Sequence, residues 1–151
     1  MRAPDNAEAM RPWLSIARTF YLCDALMARR LGAIGVRTPE HEILMNLRRD
    51  PGIGQQTLAR RCFSAKSHIS TLLASLESRG WVIRQPDPTD ARSKRLFLTT
   101  AGERMAVRTA AVQASVAAGM AGSVSSRSLA EVTTTMVRIS EALQAMLDQT
   151  D

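Results

Sequence analysis

The chain has 151 residues and a formal net charge of +6, with 45% of its residues hydrophobic and only 4% aromatic. This apolar content suffices for a packed core and excludes wholesale disorder, and no stretch approaches the roughly 18 apolar residues of a membrane span, so no membrane partner is expected. The two cysteines, Cys23 and Cys62, exclude a disulfide framework and favour the reducing cytoplasm.

Apolar residues recur at steps of three and four in the N-terminal part of the chain. This spacing places them along one face of a single long helix, which we predict over residues 11–36. The stripe consists of Trp13, Ile16, Phe20, Cys23, Met27, Leu31 and Ile34.

The middle of the chain predicts a series of short elements. Thr38 is a favourable N-cap ahead of Pro39, and the helix that starts there stops at Asp50, which a proline and a glycine follow. A short helix is predicted over residues 55–61. After a turn, Ser64 is expected to cap a further helix.

That further helix is predicted to end at Gly80, because glycine suits the position after a helix C-terminus. Strands near residues 81–85 and 95–99 follow, and the loop between them contains two prolines. This is the order of elements in a winged helix-turn-helix: a helix, a short helix, a turn, a further helix and a hairpin. The predicted fold class is therefore mostly α with a small β-hairpin wing, and residues 38–100 form the DNA-binding domain.

Long helices are also predicted after the hairpin. Thr100 and Glu103 have the spacing of a capping box, and the weak helix formers of residues 119–128 mark a break. A last, heptad-like stripe, typical of helices that pack lengthwise, consists of Leu129, Val132, Met136, Ile139, Leu143 and Met146.

The long terminal helices predict a homodimer. We expect residues 11–36 and 101–149 to form its shared base, with two recognition helices about 34 Å apart on a pseudo-palindromic operator. The alternative is that these helices fold back on their own domain.

The positive charge is concentrated in the middle of the chain. Between Arg48 and Arg95 there are ten basic and four acidic residues, and this difference equals the whole net charge. A positive field confined to one segment is typical of a module that binds a polyanion. A solvated basic face has the same composition, so charge alone leaves both interpretations open.

A recognition helix needs polar side chains on its first turns to meet base edges in the major groove, which is about 12 Å wide. The helix predicted after the turn has such an end and an aliphatic inner face. An exposed helix face that binds nothing has the same pattern. The candidate residues for contact with double-stranded DNA are Ser64, Ala65, Lys66, Ser67, His68 and Thr71.

The hairpin loop adds cations that favour contact with an adjacent minor groove. These are Arg92, Lys94 and Arg95, and Asp90 is predicted to hold the Arg92 guanidinium in place. The alternative is a surface ion pair worth at most about 1 kcal/mol. Contacts that position the protein on phosphates are predicted for Gln55, Gln56, Thr57 and Arg84.

Several stretches of this segment resemble the MarR family of bacterial regulators. They are Thr-Pro-Glu-His-Glu-Ile-Leu from Thr38, Gln-Gln-Thr-Leu-Ala-Arg-Arg from Gln55, and Leu-Glu-Ser-Arg-Gly-Trp-Val from Leu76. The most specific are Asp-Pro-Thr-Asp-Ala-Arg-Ser-Lys-Arg from Asp87 and Leu-Thr-Thr-Ala-Gly from Leu98.

The resemblance implies a triangular homodimer with interleaved terminal helices. It also implies a repressor that a small aromatic or phenolic effector releases from DNA. By position, residues 64–71 would lie in the major groove and Arg92 in the minor groove. Trp13, Arg18 and Tyr21 are weak candidates for lining an effector pocket.

The cysteines and histidines predict neither a metal site nor a cofactor. Cys23, Cys62, His41 and His68 show no ligand spacing. Some MarR proteins sense oxidants through a cysteine in the first helix, but Cys23 lies on an apolar stripe, which favours a buried structural thiol. Packing is also expected for Cys62, and a solvated or capping role for His41.

Two other functions compete with a ligand-responsive regulator. A redox-responsive regulator would use Cys23, and a winged-helix module that no longer binds bases would bind protein. The sequence contains no catalytic motif such as a phosphate loop or nucleophile elbow, so an enzyme is not predicted.

Overall fold

The structure, a computed structural model, describes residues 5–149, with Asn6 described by its backbone alone. The contacts within the chain divide it into two compact units, with the boundary between Gln113 and Ala114. Its elements are α1 (Asn6–Gly32), α2 (Thr38–Arg49), α3 (Gln55–Arg61), α4 (Lys66–Ser78), β1 (Val82–Pro86), β2 (Lys94–Leu98), α5 (Thr100–Ala121) and α6 (Ser126–Asp148).

This order confirms the predicted winged helix-turn-helix flanked by long helices. The core lies between α2, α3, α4 and the hairpin, where the aliphatic face predicted for α4 is buried as expected. None of the helices that the structure describes is long and apolar enough to cross a membrane. The core side chains are Ile43, Leu47, Ile53, Leu58, Ala59, Ile69, Leu72, Leu73, Leu76, Val82 and Leu96.

Helix α1 begins earlier than the prediction from residue 11. Asp5 accepts a hydrogen bond from the Glu8 N–H, and the Glu8 carboxylate accepts one from the Asp5 N–H, which together form a capping box. The predicted apolar stripe changes character along the helix: Leu31 is fully buried, whereas Trp13 and Phe20 are 63% and 65% exposed. The first half of α1 therefore presents an apolar face that the described residues leave exposed.

Helix α6 also presents an exposed apolar face. It starts at the predicted break, where Ser125 caps it by accepting from the Ser128 N–H. None of its described residues is buried, and Val132 and Leu143 on the predicted stripe are 57% and 55% exposed.

The turn between α3 and α4 differs from the prediction. The Ser64 N–H donates to the Ala59 carbonyl and the Phe63 N–H to the Arg60 carbonyl, a Schellman closure of α3 with Phe63 at φ 47°. Ser64 therefore terminates α3 instead of capping α4, which begins two residues later at Lys66 after the extended Ala65. The prediction of Ser64 as N-cap is wrong, because the sequence does not show whether Ser64 closes the end of α3 or caps the start of α4.

The other predicted caps are displaced by one residue. Arg37, not Thr38, precedes α2, and its N–H donates to the Glu40 carboxylate at 2.9 Å. Before α5, the Thr99 hydroxyl accepts from the Gly102 N–H at 3.0 Å. The predicted box of Thr100 and Glu103 does not form, since the Glu103 carboxylate pairs with Arg48 at 2.7 Å.

The hairpin is antiparallel, with Val82 opposite Leu98 and Pro86 opposite Lys94, within one residue of the prediction. A third segment, which the sequence analysis missed, also pairs with β2. The Gly52 N–H donates to the Leu96 carbonyl, and the Leu96 N–H donates to the Ile53 carbonyl. This pairing attaches the loop after α2 to the wing.

Gly102 provides a test of the packing between α5 and the wing. A Cβ at this position would overlap the Trp81 carbonyl, which is backbone and has no room to move aside. We expect Gly102→Ala to lower the free energy of unfolding by about 1–3 kcal/mol, measured by urea titration at fixed protein concentration.

Gly119→Ala is the matched control, because it lies in the same helix and its Cβ would meet nothing within 4 Å. Removing a helical glycine there is expected to leave stability unchanged or to raise it by up to about 1 kcal/mol. Equal effects of the two substitutions would contradict the described contact.

Candidate nucleic-acid interface

The first turns of α4 present the predicted polar end to solvent. Lys66, Ser67, His68 and Thr71 are exposed, and the Thr71 hydroxyl donates to the Ser67 carbonyl at 3.2 Å. Ala65 is exposed as well, while Ser64 is half-buried in the turn. Because the opposite face of α4 is held by the core, this end is fixed in place and free to face a partner.

Two of the predicted phosphate contacts are engaged within the protein. Arg84 pairs with Glu77 at 2.9 Å and donates to the Gln55 side chain at 3.3 Å. The Gln55 amide in turn donates to the Lys66 carbonyl at 3.4 Å. These bonds join α3, β1 and α4, so in this structure Arg84 and Gln55 help to position α4. Among the other candidates, Gln56 is exposed and Thr57 half-buried.

Asp90 shapes the wing differently from the prediction. Its carboxylate accepts from the Arg92 backbone N–H at 3.0 Å and from the Ser93 hydroxyl at 2.7 Å. These two hydrogen bonds, the Ser93 bond first, lower the pKa of Asp90. The predicted hold on the Arg92 guanidinium is therefore not what the structure shows: Asp90 closes the loop and leaves that side chain exposed at the tip.

Arg95 is also engaged. Its Nε donates to the Asp87 carboxylate at 2.9 Å, and the Thr89 N–H and hydroxyl donate to the same carboxylate. The Arg95 bond, followed by the two Thr89 bonds, holds the pKa of Asp87 well below its usual range. Arg95 thus braces the base of the wing loop, and Lys94 beside it is exposed.

Ion pairing divides the ten basic residues of the central segment into two groups. Five pair with carboxylates: Arg48, Arg61, Arg79, Arg84 and Arg95. The other five are exposed and have no ion pair among the described residues: Arg49, Arg60, Lys66, Arg92 and Lys94. The second group carries positive charge without a described counter-ion, and three of its members, Lys66, Arg92 and Lys94, lie on α4 and the wing.

Comparison with known proteins identifies the segment that holds this surface. The sequence model of the MarR family matches residues 37–94, less than half of the chain. Residues 37–94 are a MarR-family domain. The resemblance predicted from the sequence is confirmed for this segment, and the family is one of transcriptional regulators.

The named relatives are transcriptional regulators. The chain is 34% identical over 67 residues to the transcriptional regulator HosA of Escherichia coli O111:H-, which covers 44% of this chain and 50% of HosA. The chain thus spans about half the length of the curated relatives it matches.

Solved structures share the MarR fold over most of the chain. AbsC, a MarR family transcriptional regulator of Streptomyces coelicolor, superposes with a TM-score of 0.83 at 23% identity, covering 96% of this chain and 99% of AbsC. A MarR mutant from Escherichia coli complexed with operator DNA gives a TM-score of 0.79 at 19% identity, covering 91% of this chain and 99% of that one. At these identities the likeness shows the fold alone.

A cleft lies between α1 and the MarR-family domain; the sequence analysis predicted an effector pocket, but it did not predict these walls. It has a volume of about 440 Å³, and its walls come from α1, α2, the turn after α3 and Gln113 of α5. Trp13, Arg18 and Tyr21, the predicted pocket residues, are exposed on α1 outside its walls. Their role remains a prediction.

The residues around the cleft contradict two expectations, which concern the burial of His41 and Cys23. His41 was expected to be solvated or to act as a cap, but it is 3% exposed, because α2 is covered on this face as well as on its core face. Cys23 was expected to be buried, but it is exposed, since the stripe on α1 becomes covered only from Met27 onward. Cys62 packs against the core as expected.

The thiol of Cys62 should be slow to react. Burial and the nearby Glu42 carboxylate raise the pKa of Cys62 to about 11, so little thiolate exists near neutrality. In a Cys23→Ser variant, where Cys62 is the only thiol, we expect iodoacetamide to react at pH 8 at about one hundredth of the rate of a free cysteine.

The control for this measurement is the same variant unfolded in urea, where the rate should recover. A folded rate equal to the unfolded rate would contradict the environment described for Cys62.

Proposed function

We propose that the protein is a homodimeric, sequence-specific DNA-binding transcriptional regulator, a repressor that a small-molecule effector releases from a pseudo-palindromic operator. One observation carries the proposal: the exposed end of α4 and the exposed cations Arg92 and Lys94 of the wing belong to the same MarR-family domain. Side chains from the first turns of α4 suit base edges in the major groove, and wing cations suit the adjacent minor groove.

The uncovered helix faces support the homodimer. Trp13 and Phe20 on α1 and Val132 and Leu143 on α6 are all more than half exposed. Apolar faces of this extent usually mark protein–protein interfaces. We therefore assign residues 11–36 and 101–149 to dimerisation, and residues 38–100 to DNA binding.

The named relatives agree with DNA as the partner. HosA is named a transcriptional regulator, and the Escherichia coli MarR mutant superposes in its complex with operator DNA. A chromosome-binding protein of this kind would act in the cytoplasm, where its two free cysteines would stay reduced.

Redox control is a second candidate, which one observation favours. Cys23 is exposed on α1, the helix assigned to dimerisation. If oxidation there controlled DNA affinity, Cys23→Ser would remain bound to DNA in peroxide while the unsubstituted protein dissociated. Equal behaviour of the two proteins would leave the effector as the means of release.

The proposed function is tested by titrating the protein against DNA from upstream of its own gene, beside a scrambled fragment, at several salt concentrations. A dimer with about six to ten phosphate contacts should lose roughly 10³ to 10⁵ in affinity between 50 and 200 mM salt. Preference for the native fragment supports a specific regulator. Equal, weak binding to both would exclude regulation of its own gene and favour a protein-interaction module.

For the wing, we expect Arg92→Ala to weaken binding to the native fragment by about tenfold and to lower the salt slope by about one, because an exposed cation is lost from the DNA surface. Arg127→Ala is the control: it removes the same charge from α6, where Arg127 pairs with Glu131. Fluorescence anisotropy measures both. Equal affinities of the two variants would remove the wing from the interface.

For the recognition helix, we expect Ser67→Ala and His68→Ala to change sequence preference more than total affinity. Both side chains are exposed at the end of α4 that would face base edges. Binding to a set of operators with single base-pair changes measures this. A uniform loss across the set would instead identify phosphate contacts.

A further inference from the structure

The start of α4 has no side-chain cap, although the side chains proposed to meet base edges stand there. Ala65 occupies the N-cap position and has no side-chain oxygen to accept from the first turn, and Lys66 and Ser67 follow it exposed to solvent. A helix end without a cap frays easily, because its first backbone N–H groups have no partner inside the helix. Base reading by this end therefore requires that another group hold it.

The side chain of Gln55, the first residue of α3, contacts this end of α4. Its amide nitrogen donates to the Lys66 carbonyl at 3.4 Å. The distance is long for a hydrogen bond between nitrogen and oxygen, so the strength of this contact depends on how firmly the amide is kept in place.

Arg84 keeps the Gln55 amide in the orientation that the contact needs. Its Nη1 donates to the Gln55 amide oxygen at 3.3 Å. A guanidinium has donors only and a backbone carbonyl can only accept, so the amide oxygen must face Arg84 and the amide nitrogen must face Lys66. One cation of strand β1 thus determines which end of the glutamine side chain meets α4.

Glu77 connects Arg84 to the other end of α4. Its carboxylate accepts from Arg84 Nε at 2.9 Å, and the two side chains are 33% and 26% exposed, which reduces the screening of this pair by salt. Lys66 and Glu77 are the first and the next-to-last residues of α4, about 16 Å apart along its axis. Lys66, Gln55, Arg84 and Glu77 therefore join both ends of α4 through α3 and β1, and we call these four residues the α4 clamp.

The wing also contains cations of a different kind. Arg92 and Lys94 are exposed and have no ion pair among the described residues, so their charges are available to phosphates. Arg84, in contrast, uses both Nε and Nη1 within the protein.

We propose that Arg84 is a positioning residue for base reading: through Gln55 it fixes the first turn of α4, and it determines sequence preference without contacting a phosphate. This proposal replaces the phosphate contacts predicted for Arg84 and Gln55, which would carry no sequence information. The role in DNA recognition rests on the proposed function, whereas the hold on α4 does not.

Arg84→Lys tests the α4 clamp because it keeps the charge and removes the planar guanidinium. A single ammonium group cannot donate to Glu77 and Gln55 in the two directions that the guanidinium serves. We expect the ratio of the affinities for the native and the scrambled DNA fragment to fall about tenfold, with an unchanged salt slope. Fluorescence anisotropy measures both. A ratio equal to that of the unsubstituted protein would overturn the proposal, because lysine also binds phosphate.

Arg48→Lys is the matched control. The Arg48 Nε donates to the Glu103 carboxylate at 2.7 Å, in a pair that joins α2 to α5 and does not include α4. The substitution should leave the affinity ratio unchanged. A loss equal to that of Arg84→Lys would show that any broken ion pair has this effect, and would refute the specific role of Arg84.

Gln55→Met shows whether Arg84 acts through Gln55, because methionine has a similar length and can form neither hydrogen bond of the amide. We expect the same loss of affinity ratio as in Arg84→Lys. The double variant should lose no more than either single variant, since both substitutions interrupt one path. Losses that multiply in the double variant would mean that Arg84 meets the bases itself, which would contradict a positioning role.

Hydrogen exchange of the free protein separates this proposal from the proposed function. In the first turn of α4 the Ile69 N–H donates to the Ala65 carbonyl at 3.1 Å, and in α2 the His41 N–H makes the equivalent bond to Arg37 at 3.0 Å. In Arg84→Lys the Ile69 amide should exchange about tenfold faster, with the His41 amide unchanged.

Faster exchange at Ile69 in a protein that binds both DNA fragments alike would retain the hold on α4 and reject both the regulator and base reading. Unchanged exchange at Ile69 together with specific DNA binding would retain the regulator and overturn the α4 clamp.

Discussion

The buried carboxylate of Glu40 is the charge around which the rest of this structure is arranged. It is 2% exposed and accepts from the Arg37 N–H, the Arg37 guanidinium and the Arg79 guanidinium. Burial alone would raise the pKa of Glu40, but the hydrogen bonds from Arg37, and then the charges of Arg37 and Arg79, lower it. A carboxylate that stays ionised inside a protein needs such partners.

Arg79 donates to the Glu40 carboxylate and links it to α4 and to the start of the wing. Arg79 ends α4, donates to the Gly35 carbonyl at 2.6 Å and lies 3.7 Å above the Trp81 ring. One guanidinium thus connects the loop after α1, the start of α2, the end of α4 and the entry to β1. Arg79 thus adds to the core packing that holds α4 against the loop after α1 and the start of α2.

The opposite end of α4 adjoins the cleft between α1 and α2. Phe63 is part of the cleft wall and stands three residues before Lys66, the first residue of α4. Between them lies the Schellman closure at Ser64. The cleft and the polar end of α4 are therefore joined by a short segment that contains Phe63, the one described non-glycine residue with a positive φ.

Hydrophobic spacing and turn residues determined most of the fold from the sequence alone. The apolar periods along the chain, Gly80 after α4 and the turn residues of the hairpin act locally, so they predicted the elements within a few residues. The polar end of α4 and the basic wing were equally visible. What only the tertiary structure decided was the pairing of polar groups distant in sequence: Arg84 with Glu77 and Gln55, Arg48 with Glu103, and the cleft that leaves His41 Nδ1 unpaired. The sequence gives the number of charged side chains. Whether a charged side chain is free to bind a partner depends on the neighbours that folding brings within hydrogen-bond distance, and packing decides this.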